Sequence, residues 1–341
     1  MDVSEMEHRL GAFVARHVGV EQVAVSGLHK LPGGASREIW SLDAAYEKDR
    51  VRVQLPLVLR RDPSSSVVGA PRRDEFDLLR AAAAAGVPVP KVHWFGDDTV
   101  LPGGPFFLMD RIEGETLARR LLRDPEYAPA RHAMTAQLGR ILAAIHRIDR
   151  RAHDLSFLSE PGADESPAES ELQRYEQIFR TIASDPHPAF ELAFRWLRQR
   201  LPHRNERVVV HGDYRIGNVI FGPEGVRAIL DWELAHIGDP MEDLGWICVR
   251  SWRFGNDEKP VGGIGMRDDL FRAYEDAGGC AVDPGHVRFW EILGNLKWAI
   301  MTIVQASTYL SGALKSVELA SLGRRTAEME LELLQLMAEG N

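Results

Sequence analysis

Apolar residues follow two different spacings along the chain. Near the N-terminus they recur at helical spacing, which predicts an amphipathic helix through Met6, Leu10, Phe13, Val14 and Val18. Short β-prone runs follow at residues 23–28, 38–44, 51–59 and 106–109. A further helix is predicted over residues 73–85, where a run of alanines ends at a glycine. This part of the chain is therefore expected to form a small unit rich in strands.

Beyond Asp110 the apolar spacing stays helical over much longer stretches. Helices are predicted over residues 132–147, 169–184, 190–200, 287–310 and 319–338. Residues 159–170 are rich in Pro, Ser, Gly and acids and are expected to form an exposed loop. We predict an α+β fold with two lobes, a small β-rich one at residues 1–110 and a larger, mainly helical one at residues 111–341.

One β-prone island interrupts the helical part. It consists of an apolar run within residues 208–221, a glycine-bearing turn at 222–225 and a second apolar run that ends at Asp231. Two short strands joined by a turn bring the polar residues at their ends to one side. We therefore expect Asp213, Asn218 and Asp231 to lie close together.

These three side chains are of the types that phosphoryl transfer from ATP requires. Asp213 stands five residues before Asn218, and Asp231 stands thirteen residues after it. Because Mg²⁺ prefers oxygen ligands and usually takes only one or two carboxylates besides phosphate oxygens, Asn218 and Asp231 are suitable metal ligands. Asp213 then remains as the catalytic base that orients an attacking hydroxyl. Its alternative role is to cap a turn.

Composition and charge narrow the classes of function. The chain has 341 residues, 45% of them hydrophobic and 27% charged, with a net charge of −9, which disfavours nucleic acid as a partner. Its two cysteines, Cys248 and Cys280, suggest neither a disulfide framework nor a zinc cluster. The N-terminal segment is too charged for a signal peptide, and no apolar run is long enough for a membrane span. We expect a cytoplasmic protein with no membrane partner, and a homodimer remains open.

The same motif carries a family resemblance. Residues 211–218, HGDYRIGN, resemble the catalytic loop of the aminoglycoside phosphotransferase family, and residues 230–233, LDWE, resemble its metal-binding segment. Gly-Asp-Pro at residues 238–240 and Asp-Leu at 243–244 extend the likeness. The residues of these motifs are most similar to those of the branch that includes the kinase-like domains attached to some acyl-CoA dehydrogenases. The resemblance implies a protein-kinase-like fold and an ATP- and Mg²⁺-dependent transfer to the hydroxyl of a small molecule.

The resemblance also implies a nucleotide site. Residues 31–37 match the family's nucleotide loop, residues 58–61 its phosphate-pairing cation and residues 109–114 its interlobe hinge. Arginine stands where many kinases have lysine. Arg60 is the first candidate, with Glu75 as its ion-pair partner, and Arg61 remains the alternative. The implied nucleotide-binding residues are Gly33, Gly34, Ser36, Arg60, Glu75, Met109, Asp110, Arg111 and Ile112.

Other polar residues have simpler structural interpretations. We expect His211, Asp239 and Asp243 to brace the loop or cap helices, and His146 to be a satisfied interior histidine. Glu233 is either an additional ligand or a surface charge. The acceptor is expected to bind against the C-terminal helices, with ordinary helix packing as the alternative for each polar interruption there: Trp290, Asn295, Lys297, Trp298 and Gln305.

Two other functions remain open on the sequence. A protein kinase is disfavoured, because Asp239-Pro240 follows Asp231 where an activation loop ending in Ala-Pro-Glu would be needed. A nucleotide-binding regulatory module without turnover is kept open by the arginine at the phosphate-pairing position. Among acceptors, the sequence does not decide between an aminoglycoside, a choline-like amino alcohol, a sugar and a hydroxylated acyl group.

Overall fold

The β-prone runs near the N-terminus form one antiparallel sheet. The computed structural model describes residues 2–31, 38–61, 72–183, 185–314 and 316–339. In it the sheet has the strand order β1-β2-β3-β5-β4, where the strands are β1 (Ala24–Lys30), β2 (Glu38–Lys48), β3 (Val51–Arg61), β4 (Val92–Gly96) and β5 (Phe106–Asp110). Four of these strands were predicted from the sequence, and β4 was missed.

Two helices pack against this sheet. The predicted N-terminal helix is α1 (Val3–Val18), and its Leu10 and Phe13 are buried in one apolar cluster with Leu42 and Leu57 of the sheet. The second helix, α2 (Arg72–Ala84), places Phe76 edge-on to strand residues Phe95 and Phe107. The helical spacing seen in the sequence therefore reflects burial against the sheet.

The chain divides into two compact units that do not follow one boundary. The first comprises Met1–Gly114, Asp149–Phe157 and Arg227–Glu233, and the second comprises Glu115–Ile148, Leu158–Val226 and Leu234–Asn341. Two segments that are distant in sequence therefore join the first unit. A single division at residue 110 could not anticipate them, because sequence patterns do not record which unit a loop packs on.

The remaining elements are mostly helices. They are α3 (Ala118–Arg123), α4 (Ala128–Ile145), α5 (Pro167–Ile182), α6 (Pro188–Arg198), α7 (Pro240–Trp246), α8 (Arg267–Asp276), α9 (Pro284–Leu310), α10 (Val317–Leu322) and α11 (Thr326–Glu339), with short strands β6 (Val208–Val210), β7 (Val219–Gly222), β8 (Gly225–Ile229) and β9 (His236–Gly238). Strand β6 pairs with β9. No helix in the described ranges is both long and apolar enough to cross a bilayer.

The single helix predicted over residues 319–338 is wrong. Helix α10 ends at Leu322, and a 3-10 turn at Gly323–Arg325 separates it from α11. A Cβ at Gly323 would lie 2.7 Å from Ala306 Cβ, so glycine permits the close approach to α9 at this turn. The predicted loop at residues 159–170 is also too long, because Ser166 caps α5 by accepting a hydrogen bond from Glu169 N.

Candidate active site

The candidate catalytic loop follows β6 directly. Gly212 has φ +74°, and a Cβ there would lie 2.3 Å from the Leu234 carbonyl oxygen. Only glycine fits both the left-handed backbone and the close approach. The chain then forms a 3-10 turn at Ile216–Asn218 and enters β7. The loop is therefore packed, backbone against backbone, on the segment that contains Leu234.

The Asp213 carboxylate accepts hydrogen bonds from three side chains. Its Oδ1 atom accepts from Arg215 Nε at 3.0 Å and from Trp246 Nε1 at 2.9 Å. Its Oδ2 atom accepts from Asn218 Nδ2 at 2.6 Å. The structure thus brings Asp213 and Asn218 together, as the spacing of the motif indicated. These three donors fix the direction of the carboxylate.

The two candidate metal ligands are both suited to a hard cation. Asn218 uses its amide nitrogen on Asp213, and its Oδ1 atom accepts no hydrogen bond from the described part of the chain. Asp231 belongs to the first unit, is exposed, and has φ +60°, which is uncommon for a residue other than glycine. An amide oxygen and a carboxylate match the ligand preference of Mg²⁺. Their roles as metal ligands stay a prediction.

Asp243 braces the loop from beneath, as predicted. Its carboxylate accepts from the backbone N–H groups of His211 at 2.8 Å and Gly212 at 2.9 Å. His146 lies 3.2 Å from the same carboxylate and 2.9 Å from the Tyr274 hydroxyl, so it is the satisfied interior histidine that was expected. Burial alone would raise the pKa of Asp243, but the hydrogen bonds from His146 and His211 outweigh it and hold this pKa below its usual value.

The structural roles predicted for Asp239 and His211 are also confirmed. Asp239 caps α7, since its side chain accepts from Met241 N at 2.8 Å. His211 is fully buried, and its Nδ1 atom accepts from the Asp213 backbone N–H at 3.3 Å. These contacts shape the backbone on either side of Asp213.

Lys297 lies beneath the catalytic loop. It is 4% exposed and donates to the Gly212 carbonyl oxygen at 3.0 Å and to Glu242 Oε1 at 3.3 Å. The rings of Trp246 and Tyr175 lie 4.7 and 5.4 Å from its ammonium. Burial alone would lower the pKa of Lys297, but Tyr175 and Glu242 raise it above its ordinary value. Of the two roles left open for Lys297, the structure therefore fits packing inside the unit, because its ammonium is bonded to the loop and to Glu242.

Glu242 also pairs with a buried histidine. His236 Nε2 lies 3.1 Å from Glu242 Oε2 and 4.0 Å from Glu171 Oε1. The three ligand atoms lie close enough to suggest a metal site, but Lys297 and protonated His236 already neutralise the two carboxylates. Burial alone would lower the pKa of His236, and the attraction of Glu242 overcomes it and raises the pKa to about 9.

The stability of the second unit should therefore depend on pH. Because the folded-state pKa of His236 exceeds its unfolded value, this group contributes fully below about pH 6.5, and the contribution disappears as pH rises through about 9. We expect a loss of about 3 kcal/mol of unfolding free energy from this group across that window. Urea unfolding at several pH values measures it. His236→Gln should flatten this part of the profile, and an equally steep profile in the variant would contradict the assignment.

Arg60 of β3 and Glu75 of α2 form the predicted ion pair. Arg60 Nη1 lies 2.7 Å from Glu75 Oε1, and both side chains are buried. Arg72 contacts the other carboxylate oxygen of Glu75. Arg61 points elsewhere, with its Nε atom 2.6 Å from Glu38 Oε2 on β2. Because successive strand residues face opposite sides, only Arg60 of the two reaches α2.

In residues 109–112, the segment predicted to contact adenine, most polar groups are already hydrogen-bonded within the protein. Asp110 N donates to the Lys91 carbonyl oxygen, and Arg111 N donates to the Pro56 carbonyl oxygen, both at 2.9 Å. The Arg111 guanidinium is drawn to β2, where it donates to Ser41 Oγ at 2.9 Å. Ile112 N has no acceptor in the part of the chain that is described. Of the backbone N–H groups of Asp110, Arg111 and Ile112, only that of Ile112 is thus left to donate to adenine.

The roles of five further site residues stay predictions. Gly33, Gly34 and Ser36 of the expected nucleotide loop lie outside the described residues. Met109 is part of β5. Glu233 is exposed in a 3-10 turn at Trp232–Leu234, and its role stays a prediction.

The sequence pattern of a known family covers most of the chain. The family model for the APH phosphotransferase enzyme family matches residues 39–290. The chain belongs to this family. The predicted family membership is therefore confirmed.

Relatives of this phosphotransferase-family chain fall into two groups. Mouse acyl-CoA dehydrogenase family member 10 is 35% identical over 198 residues, which are 57% of this chain but only 18% of that protein. A Ralstonia eutropha protein with a provisional aminoglycoside phosphotransferase assignment has a TM-score of 0.77 at 23% identity, over 97% of this chain and 98% of its own. Aminoglycoside phosphotransferase APH(4)-Ia, as a ternary complex with AMP-PNP and hygromycin B, has a TM-score of 0.62 at 19% identity, over 97% and 98% of the two chains.

These likenesses confirm the predicted fold class, an α+β protein-kinase-like fold with a small β-rich lobe and a larger helical lobe. The motif of the phosphotransferase family led to Asp213 and Asn218, but it did not reveal Trp246 or Lys297 as their supports. Lys297 had one signal, since it is a lysine between Leu296 and Ala299 in the most apolar stretch of α9. A lysine in such a stretch needs a buried partner.

Proposed function

We propose that this chain is an ATP- and Mg²⁺-dependent small-molecule kinase that transfers the γ-phosphate to a hydroxyl group. The observation that carries the proposal is the Asp213 carboxylate, which three donors orient while Asn218 keeps its amide oxygen available. Phosphoryl transfer passes through a loose transition state, so its catalyst mainly positions groups and compensates charge. A carboxylate with a fixed direction serves that purpose.

Asp213 would receive the acceptor hydroxyl as a hydrogen-bond donor. Arg215, Trp246 and Asn218 fix the direction of its carboxylate, so Asp213 would orient the hydroxyl and accept its proton as the bond to phosphorus forms. Asn218 Oδ1 and the Asp231 carboxylate would hold Mg²⁺, which neutralises phosphate charge when bound.

The nucleotide would be held mainly by the first unit. Arg60, fixed by Glu75, supplies a cation whose planar head suits phosphate oxygens, and Ile112 N supplies a donor for the adenine edge. The presence of AMP-PNP in the APH(4)-Ia complex supports a nucleoside triphosphate as the phosphate donor.

Calorimetric titration with ATP tests this proposal. We expect saturable binding that tightens when Mg²⁺ is added, and ADP formation that requires a hydroxylated acceptor from a panel of metabolites. Asp231→Asn should weaken the Mg²⁺-dependent part of ATP binding by about tenfold or more, because a carboxylate ligand is lost.

The matched control is Asp98→Asn, which removes an exposed carboxylate of the same unit and should leave binding unchanged. Absence of ATP binding, or Mg²⁺ dependence that persists in Asp231→Asn, would contradict the proposal. Binding without turnover on any acceptor would favour the regulatory module.

A further inference from the structure

A groove in the second unit has the size of a small-molecule site. It has a volume of about 570 Å³ and lies between α3, the segment around Phe254, and α11. Ligand pockets usually fall between about 300 and 1,000 Å³. Its apolar lining comes from Phe254, Met329 and Leu331.

The charge of the groove is unbalanced toward arginine. Four arginines line it, and two of them have carboxylate partners: Arg250 pairs with Asp257 at 2.7 Å and with Glu332 at 3.1 Å, and Arg325 pairs with Glu328 at 3.1 Å. These pairs use every carboxylate that lines the groove.

Two further arginines of the groove are left without counter-charges. Arg119 and Arg123 stand one helical turn apart on α3, and neither has a carboxylate within 4.0 Å in the described ranges. Residues four apart on a helix share a face, so both guanidinium groups can address one ligand. Their planar forks suit carboxylate or phosphate oxygens.

A residue adjacent in sequence to the groove lining contacts the catalytic loop. Trp252 lies between groove residues Ser251 and Phe254, and its ring lies 4.7 Å from the Arg215 guanidinium carbon. Arg215 in turn donates to Asp213. Groove residues Ser251 and Phe254 are thus close in sequence to a side chain that contacts the catalytic loop.

Phe254 is held in an unusual conformation at the edge of this groove. It has φ +50° and remains 41% exposed. A bulky residue with positive φ is an outlier, and such residues are concentrated at ligand-contacting sites. Exposure of the ring also forgoes the burial that an aromatic side chain normally gains.

We infer that this groove binds the non-reacting end of the acceptor, and that this end carries an anion, either a carboxylate or a phosphate ester, next to an apolar portion. The inference rests on the proposed kinase function and specifies its substrate class. Arg119 and Arg123 hold the anion, and Phe254 contacts the apolar portion. Polycationic acceptors such as aminoglycosides are disfavoured, because the described lining has four arginines against three carboxylates.

Pairs of acceptors with and without an anionic group test the inference. The carboxylate arm compares 3-hydroxyoctanoate with its primary amide, the phosphate arm compares 1-octanoylglycerol 3-phosphate with 1-octanoylglycerol, and kanamycin represents the cations. Binding is measured by calorimetry, and turnover by ADP formation. We expect at least one anionic probe to bind about tenfold or more tightly than its neutral partner, since hydrogen bonds to charged groups are the stronger ones.

Arg119→Gln with Arg123→Gln should abolish this preference. The control pair, Arg140→Gln with Arg272→Gln, removes two exposed arginines that line a different cavity, between α4 and α8, and should retain it. The inference is overturned if no anionic probe shows saturable binding, if kanamycin or a neutral partner is preferred, if the preference survives in the first pair, or if it is lost only in the second.

Failure of this inference can be told from failure of the kinase proposal. If ATP binding and Asp213-dependent turnover persist without any preference for anions, only the substrate class is wrong. If anions bind through Arg119 and Arg123 but ATP does not bind, the groove stands and the kinase proposal fails.

Discussion

Replacing Asp213 by alanine lowers kcat for acceptor-dependent ADP formation by about 10² to 10⁴, the range expected when a positioned general base is removed. Binding of ATP should change little, because the partners of the carboxylate are Arg215, Trp246 and Asn218, and none of them is assigned to the nucleotide. Steady-state kinetics on the best acceptor, together with calorimetric titration of ATP, measures both quantities. A loss in kcat with unchanged ATP affinity indicates a role in the chemical step.

Asp213→Asn distinguishes the loss of the base from the loss of the hydrogen bonds that Asp213 accepts. The amide can keep part of the contacts with the same neighbours, but it cannot take a proton, so its kcat should fall nearly as far as that of Asp213→Ala. Glu258→Gln, an exposed carboxylate of the same unit, serves as the control for charge and should be neutral. Turnover that survives within a few-fold in both Asp213 variants would remove this residue from the reaction.

Replacing Lys297 by methionine has the largest expected effect on stability. Methionine fills a similar length but leaves the Gly212 carbonyl oxygen without its donor and Glu242 without one of its two positive partners. Breaking a buried ion pair by removing one member typically costs about 3–5 kcal/mol. Urea unfolding should record a loss of that size. Since Gly212 precedes Asp213, kcat should fall while ATP affinity is retained.

A double-mutant cycle distinguishes this network from simple loss of packing. Glu242→Gln added to Lys297→Met should cost less than the sum of the two single changes, because the second change removes the charge left unpaired by the first. Lys259→Met, at an exposed lysine of the same unit, should be close to neutral. Additive costs at Lys297 and Glu242 would show that the two groups are not coupled.

The fold was largely readable where an element has its own periodicity. Helix α9 and strands β2 and β3 repeat their apolar pattern over enough residues to be predicted from the sequence. Strand β4 has five residues and helix α7 has seven, so neither contains enough repeats, and each exists because a partner element pairs with it or packs on it. The turn at Gly323 is a similar case, because the residue that it approaches, Ala306, lies on another helix.

In the candidate site, too, contacts between residues close in sequence could be predicted and contacts between distant residues could not. Asp213 and Asn218 are five positions apart, so a local motif could predict that they meet. Trp246 and Lys297 reach the loop from 33 and 85 residues away, through contacts that only the tertiary fold creates. Charge and polarity indicated that a buried lysine needs partners, but they could not say which carbonyl oxygen and which carboxylate it would find.

The backbone at Asp231 bears on which residues this position would accept in related chains. An L-residue at φ +60° carries a conformational penalty of about 1–2 kcal/mol, and glycine would relieve it. A relative that does not use a carboxylate here as a ligand would therefore gain stability by replacing it with glycine. We expect glycine at this position to be more frequent in relatives without kinase activity than in active ones.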